Sequence, residues 1–226
     1  MDHTSRPILC FVTDRRSLAG ASGEGAESLP RLGEMIACAV AAGVDWVQIR
    51  ERDLPGAALV ELTRDAVERA GAGTRILVND RLDVALAAGA TGVHLGEKSM
   101  PVESLVRWLR TPDNAARVPR NFLVGASCHS LEAALTAERA GASYAIFGPV
   151  FETPSKAAFG PPQGLERLAE VCRRVRIPVL AIGGVTLDNV ISCLSAGASG
   201  IAAIRLFQEA GDLSPVIRNL RGSRNP

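Results

Sequence analysis

The sequence predicts one (β/α)8 barrel, or TIM barrel, spanning residues 1–226. Three observations predict this fold: eight short apolar runs, segments of helical periodicity between them, and a glycine phrase that recurs along the chain. Barrels of this class use roughly 200–250 residues as one domain. The apolar fraction of 47% with few aromatic residues suits an interior filled by aliphatic side chains.

The glycine phrase consists of Ala-Gly followed by a short apolar run, and its glycines are Gly43, Gly89, Gly141 and Gly197. Each glycine follows an amphipathic segment and precedes a strand-like run, so we expect it to end a helix with positive φ. The other four apolar runs are residues 8–12, 75–78, 121–126 and 177–182. They bring the number of predicted strands to eight.

Helical segments separate the strands and begin at Leu29, Ala57, Leu82, Leu131, Gly164 and Leu187. This alternation predicts parallel βαβ units that close into a barrel. An open doubly wound sheet is the alternative, although the glycine-rich turn it needs after the first strand is absent. Residues 14–30 form a Gly- and Ser-rich loop, either a mobile flap over the site or a surface insertion. Residues 111–120 are interpreted as a surface connection and residues 221–226 as a frayed end.

Composition argues against several classes of function. A net charge of +1, without a basic run interleaved with aromatic residues, argues against nucleic-acid binding. Five scattered cysteines include no CxxC pair, which argues against a disulfide framework or a zinc site. No apolar run reaches the length of a signal segment or a membrane span. We therefore expect a cytoplasmic protein with no nucleic-acid or membrane partner, and the sequence leaves a homo-oligomer open.

Polar residues gather at the carboxyl ends of the predicted strands, where barrel side chains converge on one site. These positions are Asp14, Gln48, Arg50, Arg52, Asn79, Asp80, His94, Glu97, Ser127, His129, Thr153, Ser155, Lys156, Gly183, Gly184 and Arg205. Cations outnumber acids, so we expect an anionic ligand. Gly183 and Gly184, with a helix starting near Ala203 and Ile204, predict a phosphate site, and a tight turn is the alternative.

Three further side chains are candidates for binding a polyanion, binding a metal ion or transferring a proton. Lys156 is one of only two lysines in an arginine-rich chain and is interpreted as a mobile charge for a polyanion, or else as a solvated surface lysine. Asp80 either binds Mg²⁺ jointly with a diphosphate or caps the next helix. His129 is favoured over His94 for proton transfer because it lies further into its loop, and His94 would then be a hydrogen-bonded wall of the site.

These residues lie in motifs that resemble the thiamine phosphate synthase and thiazole tautomerase family over nearly the whole chain. The motifs are Gln48-Ile-Arg50-Glu51-Arg52, Asn79-Asp80, GVHLGEKS, SCHS, Thr153-Pro154-Ser155-Lys156 and Ile182-Gly183-Gly184. For a synthase, the resemblance implies a barrel that joins a pyrimidine diphosphate to a thiazole phosphate with Mg²⁺. Thiamine phosphate and diphosphate would be released.

The resemblance also implies residue roles. The pyrimidine diphosphate is assigned to Gln48, Arg50, Asn79, Ser127 and Lys156, magnesium to Asp80, and the thiazole phosphate to Thr153, Ser155, Gly183 and Gly184. Arg50, Ser127, His129 and Lys156 are the candidate catalytic residues.

Three positions depart from the family pattern. Arg52 stands where the family has lysine, and it is retained as a substrate-binding candidate. Ser99 replaces a second magnesium-ligating Asp, and Glu97 is the candidate that restores the missing charge. Arg205 replaces a serine and either grips the thiazole phosphate or fills space that a substrate needs.

Three alternatives remain at the level of sequence. A thiazole tautomerase would use His129 as general acid and base and would need neither diphosphate nor metal. A non-catalytic family member would only bind thiamine intermediates, and a different barrel enzyme would act on a sugar phosphate. The synthase is preferred because a tautomerase has less need of Gln48 and the Asn79-Asp80 pair.

Overall fold

The computed structural model describes residues 6–18, 28–153 and 161–222 of the chain. Its eight strands are parallel and form one closed barrel in chain order. They are β1 (Ile8–Val12), β2 (Trp46–Ile49), β3 (Arg75–Asn79), β4 (Gly92–Leu95), β5 (Leu123–Cys128), β6 (Tyr144–Phe147), β7 (Val179–Ile182) and β8 (Gly200–Ala203). The (β/α)8 prediction is confirmed. The open-sheet alternative is wrong, because β8 pairs with β1, with Ile8 opposite Gly200.

Helices follow the strands and cover the outside of the barrel. In the described residues they are α1 (Ser28–Ala42), α2 (Gly56–Ala70), α3 (Leu82–Ala87), α4 (Val102–Leu109), α5 (Pro112–Ala115), α6 (Leu131–Arg139), α7 (Gly164–Arg174), α8 (Val190–Ser195), α9 (Arg205–Gln208) and α10 (Leu213–Gly222). Among these, no helix is long and apolar enough to cross a membrane.

Three apolar clusters stabilise the barrel in the described residues, and the smallest packs β4 and β5 against α4. The largest lies between strands and helices and includes Phe11, Val47 and Phe147. The inner one fills the barrel and includes Trp46, Leu77, Tyr144 and other residues of alternate strand positions. Since successive strand side chains point to opposite faces, residues two places beyond an inner one also point inward. The polar residues of the site therefore sit directly above the inner cluster.

The four repeated glycines adopt the predicted conformation. Gly43, Gly89, Gly141 and Gly197 have φ values of 90°, 72°, 92° and 97°, a region that disfavours a side chain. Each follows a helix and precedes a strand, as the sequence indicates. The repeat therefore marks the helix-to-strand turns on the amino-terminal side of the barrel.

Two strands begin later than predicted. Strand β5 starts two residues later than expected, because Phe122 still belongs to a turn in which its N–H donates to Pro119 O at 3.0 Å. Strand β7 starts after Pro178, which has no N–H, while the Ile177 N–H donates to Glu138 Oε1 at 3.2 Å. Strand β5 also ends two residues later than expected, at Cys128, which places Ser127 within the strand rather than beyond it.

Two connections and the C-terminal segment contain more regular structure than expected. Residues 111–120 are exposed or half-buried, as expected of a surface connection, and contain the short helix α5. The predicted frayed end begins too early, because α10 extends to Gly222 and Arg221 donates to Gly43 O at 2.9 Å and to Asp45 Oδ2 at 2.8 Å. Within loop 14–30, residues Arg15–Ser17 form a 3-10 turn and α1 begins at Ser28, whereas residues 19–27 lie outside the described part.

Candidate active site

A chain of hydrogen bonds crosses the carboxyl ends of β2 and β3. Gln48 Nε2 donates to Asn79 Oδ1 at 3.1 Å, and Asn79 Nδ2 donates to Asp80 Oδ2 at 2.7 Å. Gln48 is 3% exposed, yet its Oε1 is buried without a hydrogen-bond partner among the described residues. A buried unpaired acceptor is costly, so this atom is suited to receive a donor from a ligand.

Asp80 does not cap α3, so that alternative is wrong. The residue before α3 is Arg81, which makes no side-chain cap, and Asp80 itself has φ 62°. This conformation turns its carboxylate toward β4, where Oδ1 accepts from Gly96 N at 3.1 Å and from the Ser99 hydroxyl. Left-handed backbone is unusual outside glycine and is retained where neighbouring contacts fix it.

Two arginines stand beside this carboxylate. Arg52 is exposed, and its Nε lies 4.0 Å from Asp80 Oδ2. Arg50 is half-buried, and burial together with the charge of Arg52 lowers the pKa of its guanidinium, which still stays protonated in a protein. Within the described residues Arg50 forms no salt bridge with a carboxylate. Its positive charge is therefore available to an anionic ligand.

Sequence reasoning assigned no role to Glu51, which the structure places beneath these arginines. Glu51 is 4% exposed and accepts from Thr13 Oγ1 at 2.7 Å and Arg15 Nη1 at 3.0 Å. Burial raises the pKa of its carboxyl, and the hydrogen bonds from Thr13 and Arg15 oppose that rise. Thr13 Oγ1 accepts in turn from the Arg50 N–H at 2.9 Å. The available signal was only its place inside the Gln48–Arg52 motif, because the residues that hold Glu51, Thr13 and Arg15, lie far away in the sequence.

The two histidines occupy different surroundings. His94 is buried, with Nδ1 3.1 Å from Tyr144 Oη and Nε2 2.9 Å from Ser127 Oγ. Burial lowers its pKa to about 4, so it is neutral at physiological pH and forms a wall of the site. His129 is half-buried, and its Nδ1 donates to Gly148 O. In neutral His129 this leaves Nε2 as the acceptor.

The glycine pair after β7 lies against the loop after β6. Val150 N donates to Ile182 O at 2.8 Å, and Phe151 N donates to Gly183 O at 3.0 Å. Gly183 and Gly184 have φ values of 92° and 64°. A Cβ on Gly184 would lie 2.5 Å from Glu152 O. These contacts bring Thr153, which follows directly, to the same rim as the glycine pair.

The remaining candidates are placed unevenly. The predicted short helix after β8 is present as α9. Strand β8 ends at Ala203, Ile204 follows it, and the exposed Arg205 is the first residue of the helix. Exposed Glu97 lies in the loop after β4. Ser155 and Lys156 lie outside the described residues, so their roles remain predictions from the motif.

A family sequence pattern described as thiamine monophosphate synthase matches residues 9–207. The chain belongs to the thiamine monophosphate synthase family. A relative from a Roseiflexus species named thiamine-phosphate synthase is 40% identical over 220 residues, covering 94% of this chain and 83% of the relative. A relative of the same name from Methanoculleus marisnigri is 42% identical over 190 residues, covering 81% and 83%.

The fold comparison agrees with this family. A solved structure titled thiamine phosphate pyrophosphorylase from Pyrococcus furiosus superposes with a TM-score of 0.78 at 33% identity. The superposition covers 96% of this chain and 94% of that one. The thiamine monophosphate synthase family membership therefore holds at the level of sequence and of structure.

Gly184→Ala tests the close approach of the two loops in this family member. We expect a loss of about 3 kcal/mol in the free energy of unfolding, because the new methyl adds a clash to backbone strain. Gly89→Ala is the matched control: Gly89 also has positive φ, 72°, but open space around its Cβ position, so we expect about 1 kcal/mol. Urea unfolding measures both, and equal losses would show that the approach is not tight.

The buried His94 makes stability depend on pH. Its folded pKa of about 4 lies below the ordinary 6.5, so between these values the unfolded chain binds more protons. The stability contribution is complete above pH 6.5 and is lost as the pH falls toward 4, by roughly 3 kcal/mol. Denaturant unfolding of the wild type and His94→Gln at several pH values should show this slope in the wild type alone. Parallel curves would contradict it.

Proposed function

We propose that this protein is a thiamine phosphate synthase that condenses hydroxymethylpyrimidine diphosphate with hydroxyethylthiazole phosphate, giving thiamine phosphate and diphosphate. The observation that carries the proposal is the chain from Gln48 through Asn79 to Asp80. At one end, the unpaired Gln48 Oε1 suits the amine of an aminopyrimidine. At the other end, Asp80 stands beside Arg52, where a diphosphate and its metal ion belong.

The reaction breaks the bond between the pyrimidine methylene carbon and the diphosphate oxygen, which leaves with the electron pair. The methylene carbon becomes cation-like, and the thiazole nitrogen donates its lone pair to form the new carbon–nitrogen bond. Arg50 and Arg52 would stabilise the negative charge that grows on the leaving diphosphate more than they stabilise the bound substrate. The Ser127 O–H would donate a hydrogen bond to the same oxygens, and Lys156 would add a mobile charge.

The second substrate would bind across the opening, on the β7 and β8 side. The Gly183-Gly184 backbone and the hydroxyls of Thr153 and Ser155 would hold the thiazole phosphate, with Arg205 and the backbone at Ala203 and Ile204 nearby. Thr153 and Gly184 are on one rim because their loops are hydrogen-bonded together. The reacting nitrogen would thereby face the methylene carbon held above Gln48.

The donor set fits Mg²⁺ only as an ion shared with the diphosphate. Mg²⁺ in phosphate sites uses one or two carboxylates together with substrate oxygens and water. Here Asp80 would supply one carboxylate and the Ser99 hydroxyl one neutral oxygen, and no cluster of three acidic, His or Cys ligands occurs among the described residues. Glu97 lies in the same loop and would add charge. When bound, the ion would neutralise part of the diphosphate charge.

A thiazole tautomerase is the competing function. His129 suits it, since its Nδ1 is held by Gly148 O and its Nε2 could exchange a proton with a substrate. The buried unpaired Gln48 Oε1 has no use in that reaction, which favours the synthase.

We further propose a cytoplasmic location, because all five cysteines are free and three of them are buried thiols.

The direct test is to incubate the purified protein with both substrates, with and without Mg²⁺. We expect thiamine phosphate and diphosphate in equal amounts, and neither product when one substrate is omitted. A parallel reaction with thiazole carboxylate phosphate in deuterated water detects tautomerisation. If deuterium exchanged into the thiazole carboxylate phosphate and no thiamine phosphate formed from the two synthase substrates, the protein would be a tautomerase and not a synthase.

A further inference from the structure

A row of three hydrogen-bonded side chains crosses the inside of the barrel. Tyr144 Oη lies 3.1 Å from His94 Nδ1, and His94 Nε2 lies 2.9 Å from Ser127 Oγ. Tyr144 is fully buried and His94 is 2% exposed, whereas Ser127 is half-buried near the carboxyl end of β5. The reaction proposed above uses only the Ser127 end of this row.

The direction of the hydrogen bonds follows from the buried tyrosine. Burial raises the pKa of Tyr144 well above its usual range, so the hydroxyl keeps its hydrogen. Among the described residues His94 Nδ1 is its hydrogen-bond partner, and a buried O–H without an acceptor is costly. Tyr144 therefore donates to Nδ1. Neutral His94 then carries its hydrogen on Nε2 and donates it to Ser127 Oγ.

Ser127 is left with one free hydrogen. Its oxygen accepts from His94, so its own hydrogen points away from the histidine. With the opposite tautomer, the Ser127 O–H would donate to His94 Nε2, and the Ser127 oxygen could only accept a hydrogen bond from a ligand. A diphosphate oxygen offers no hydrogen, so only the first arrangement lets Ser127 contact it favourably.

We propose that Tyr144 and His94 are positioning residues that hold the Ser127 hydroxyl as a hydrogen-bond donor toward the leaving diphosphate. This inference rests on the proposed synthase function. Neither residue contacts the substrate. They act by orienting the hydrogen of the Ser127 hydroxyl. The hydrogen bond from this hydroxyl to the diphosphate becomes stronger as negative charge develops on the leaving group.

The packing around Tyr144 fixes its ring in this arrangement. Gly125 lies opposite Tyr144 in the β5–β6 ladder, and a Cβ on Gly125 would lie 2.1 Å from Tyr144 Cζ. On another side Trp46 packs edge-on, with ring centroids 4.7 Å apart. Glycine at position 125 therefore provides the space that the tyrosine ring occupies.

The tautomer of His94 can be measured on the free protein without substrate. The chain has only three histidines, so nitrogen-15 NMR of histidine-labelled protein is simple, and His94→Gln identifies the His94 signals by their loss. We expect a protonated Nε2 and an unprotonated Nδ1 at pH 7, and a mixture of tautomers in Tyr144→Phe. A wild-type spectrum with a protonated Nδ1, alone or in a mixture, would overturn the inference.

Turnover provides the second test. Tyr144→Phe should lower kcat about tenfold and change the KM for the pyrimidine diphosphate less than about twofold. In a Ser127→Ala background the same change should have no further effect, because the route through Ser127 is gone. Trp46→Phe is the matched control, since it alters packing against the same ring but leaves the row intact. Additive effects of Tyr144→Phe and Ser127→Ala would contradict the proposal.

The two proposals fail differently. A wild-type protein that forms no thiamine phosphate while His94 shows the expected tautomer would overturn the synthase function and, with it, the role toward diphosphate. An active wild type whose turnover is unchanged in Tyr144→Phe would overturn the positioning role alone.

Discussion

Arg50→Ala is expected to lower kcat/KM for the pyrimidine diphosphate by about 10² to 10³, the largest effect expected of any single substitution in the site. Arg50 is a half-buried cation at the opening, with no carboxylate bridge among the described residues and a backbone N–H fixed by Thr13. Its charge would act on the leaving diphosphate inside a partly dehydrated site, where electrostatic stabilisation is strong. Steady-state kinetics with varied pyrimidine diphosphate measure the loss.

Two further variants sharpen this prediction. Arg50→Lys keeps the charge but loses the planar fork, so we expect partial activity between that of the wild type and Arg50→Ala. Arg107→Ala removes an exposed arginine on α4, away from the opening, and should leave turnover unchanged. If Arg50→Ala retained half of the wild-type kcat/KM, Arg50 would have no role in binding the diphosphate.

Asp80→Asn should lower turnover about a hundredfold and raise the Mg²⁺ concentration needed for half-maximal rate. The amide keeps the size of the side chain but removes the carboxylate charge of the proposed ion site. It also places N–H donors where Asp80 now accepts from Asn79, Gly96 and Ser99. Initial rates over a series of Mg²⁺ concentrations give both quantities.

Ser99→Asp is the matched gain-of-charge variant. Its hydroxyl already contacts the Asp80 carboxylate, so an acid at this position adds a second carboxylate to the same site. We expect about a tenfold lower Mg²⁺ requirement. Asp113→Asn on α5 controls for a general change in charge. If the Mg²⁺ requirement were unchanged in both Asp80→Asn and Ser99→Asp, the ion would not bind at Asp80.

Sequence patterns predicted the barrel because its signals are local. Each repeated glycine ends a helix at positive φ, as at Gly43 and Gly197, and each strand is a short apolar run. The ends of strands were less predictable where long-range hydrogen bonds, and not the pattern of apolar residues, determine where a strand begins. Strand β7, for example, begins only after Pro178, because the neighbouring Ile177 N–H bonds to the distant Glu138 carboxylate.

The site was predicted in part for the same physical reason. Gln48, Asn79 and Asp80 lie at strand ends, so topology alone brought them together. Glu51 and Tyr144 were missed because their hydrogen bonds are made to partners far along the chain, Thr13 and His94. Nothing in local composition distinguishes a tyrosine that packs as apolar filling from one whose hydroxyl orients a histidine.

The proposed synthase function depends most directly on where the pyrimidine diphosphate binds. A crystal structure of the protein with this substrate and Mg²⁺ should place the pyrimidine amine within hydrogen-bond distance of Gln48 Oε1. Its diphosphate should lie between Arg50 and Asp80. A pyrimidine bound elsewhere, with Gln48 Oε1 still unpaired and Arg50 turned away from the phosphates, would contradict it.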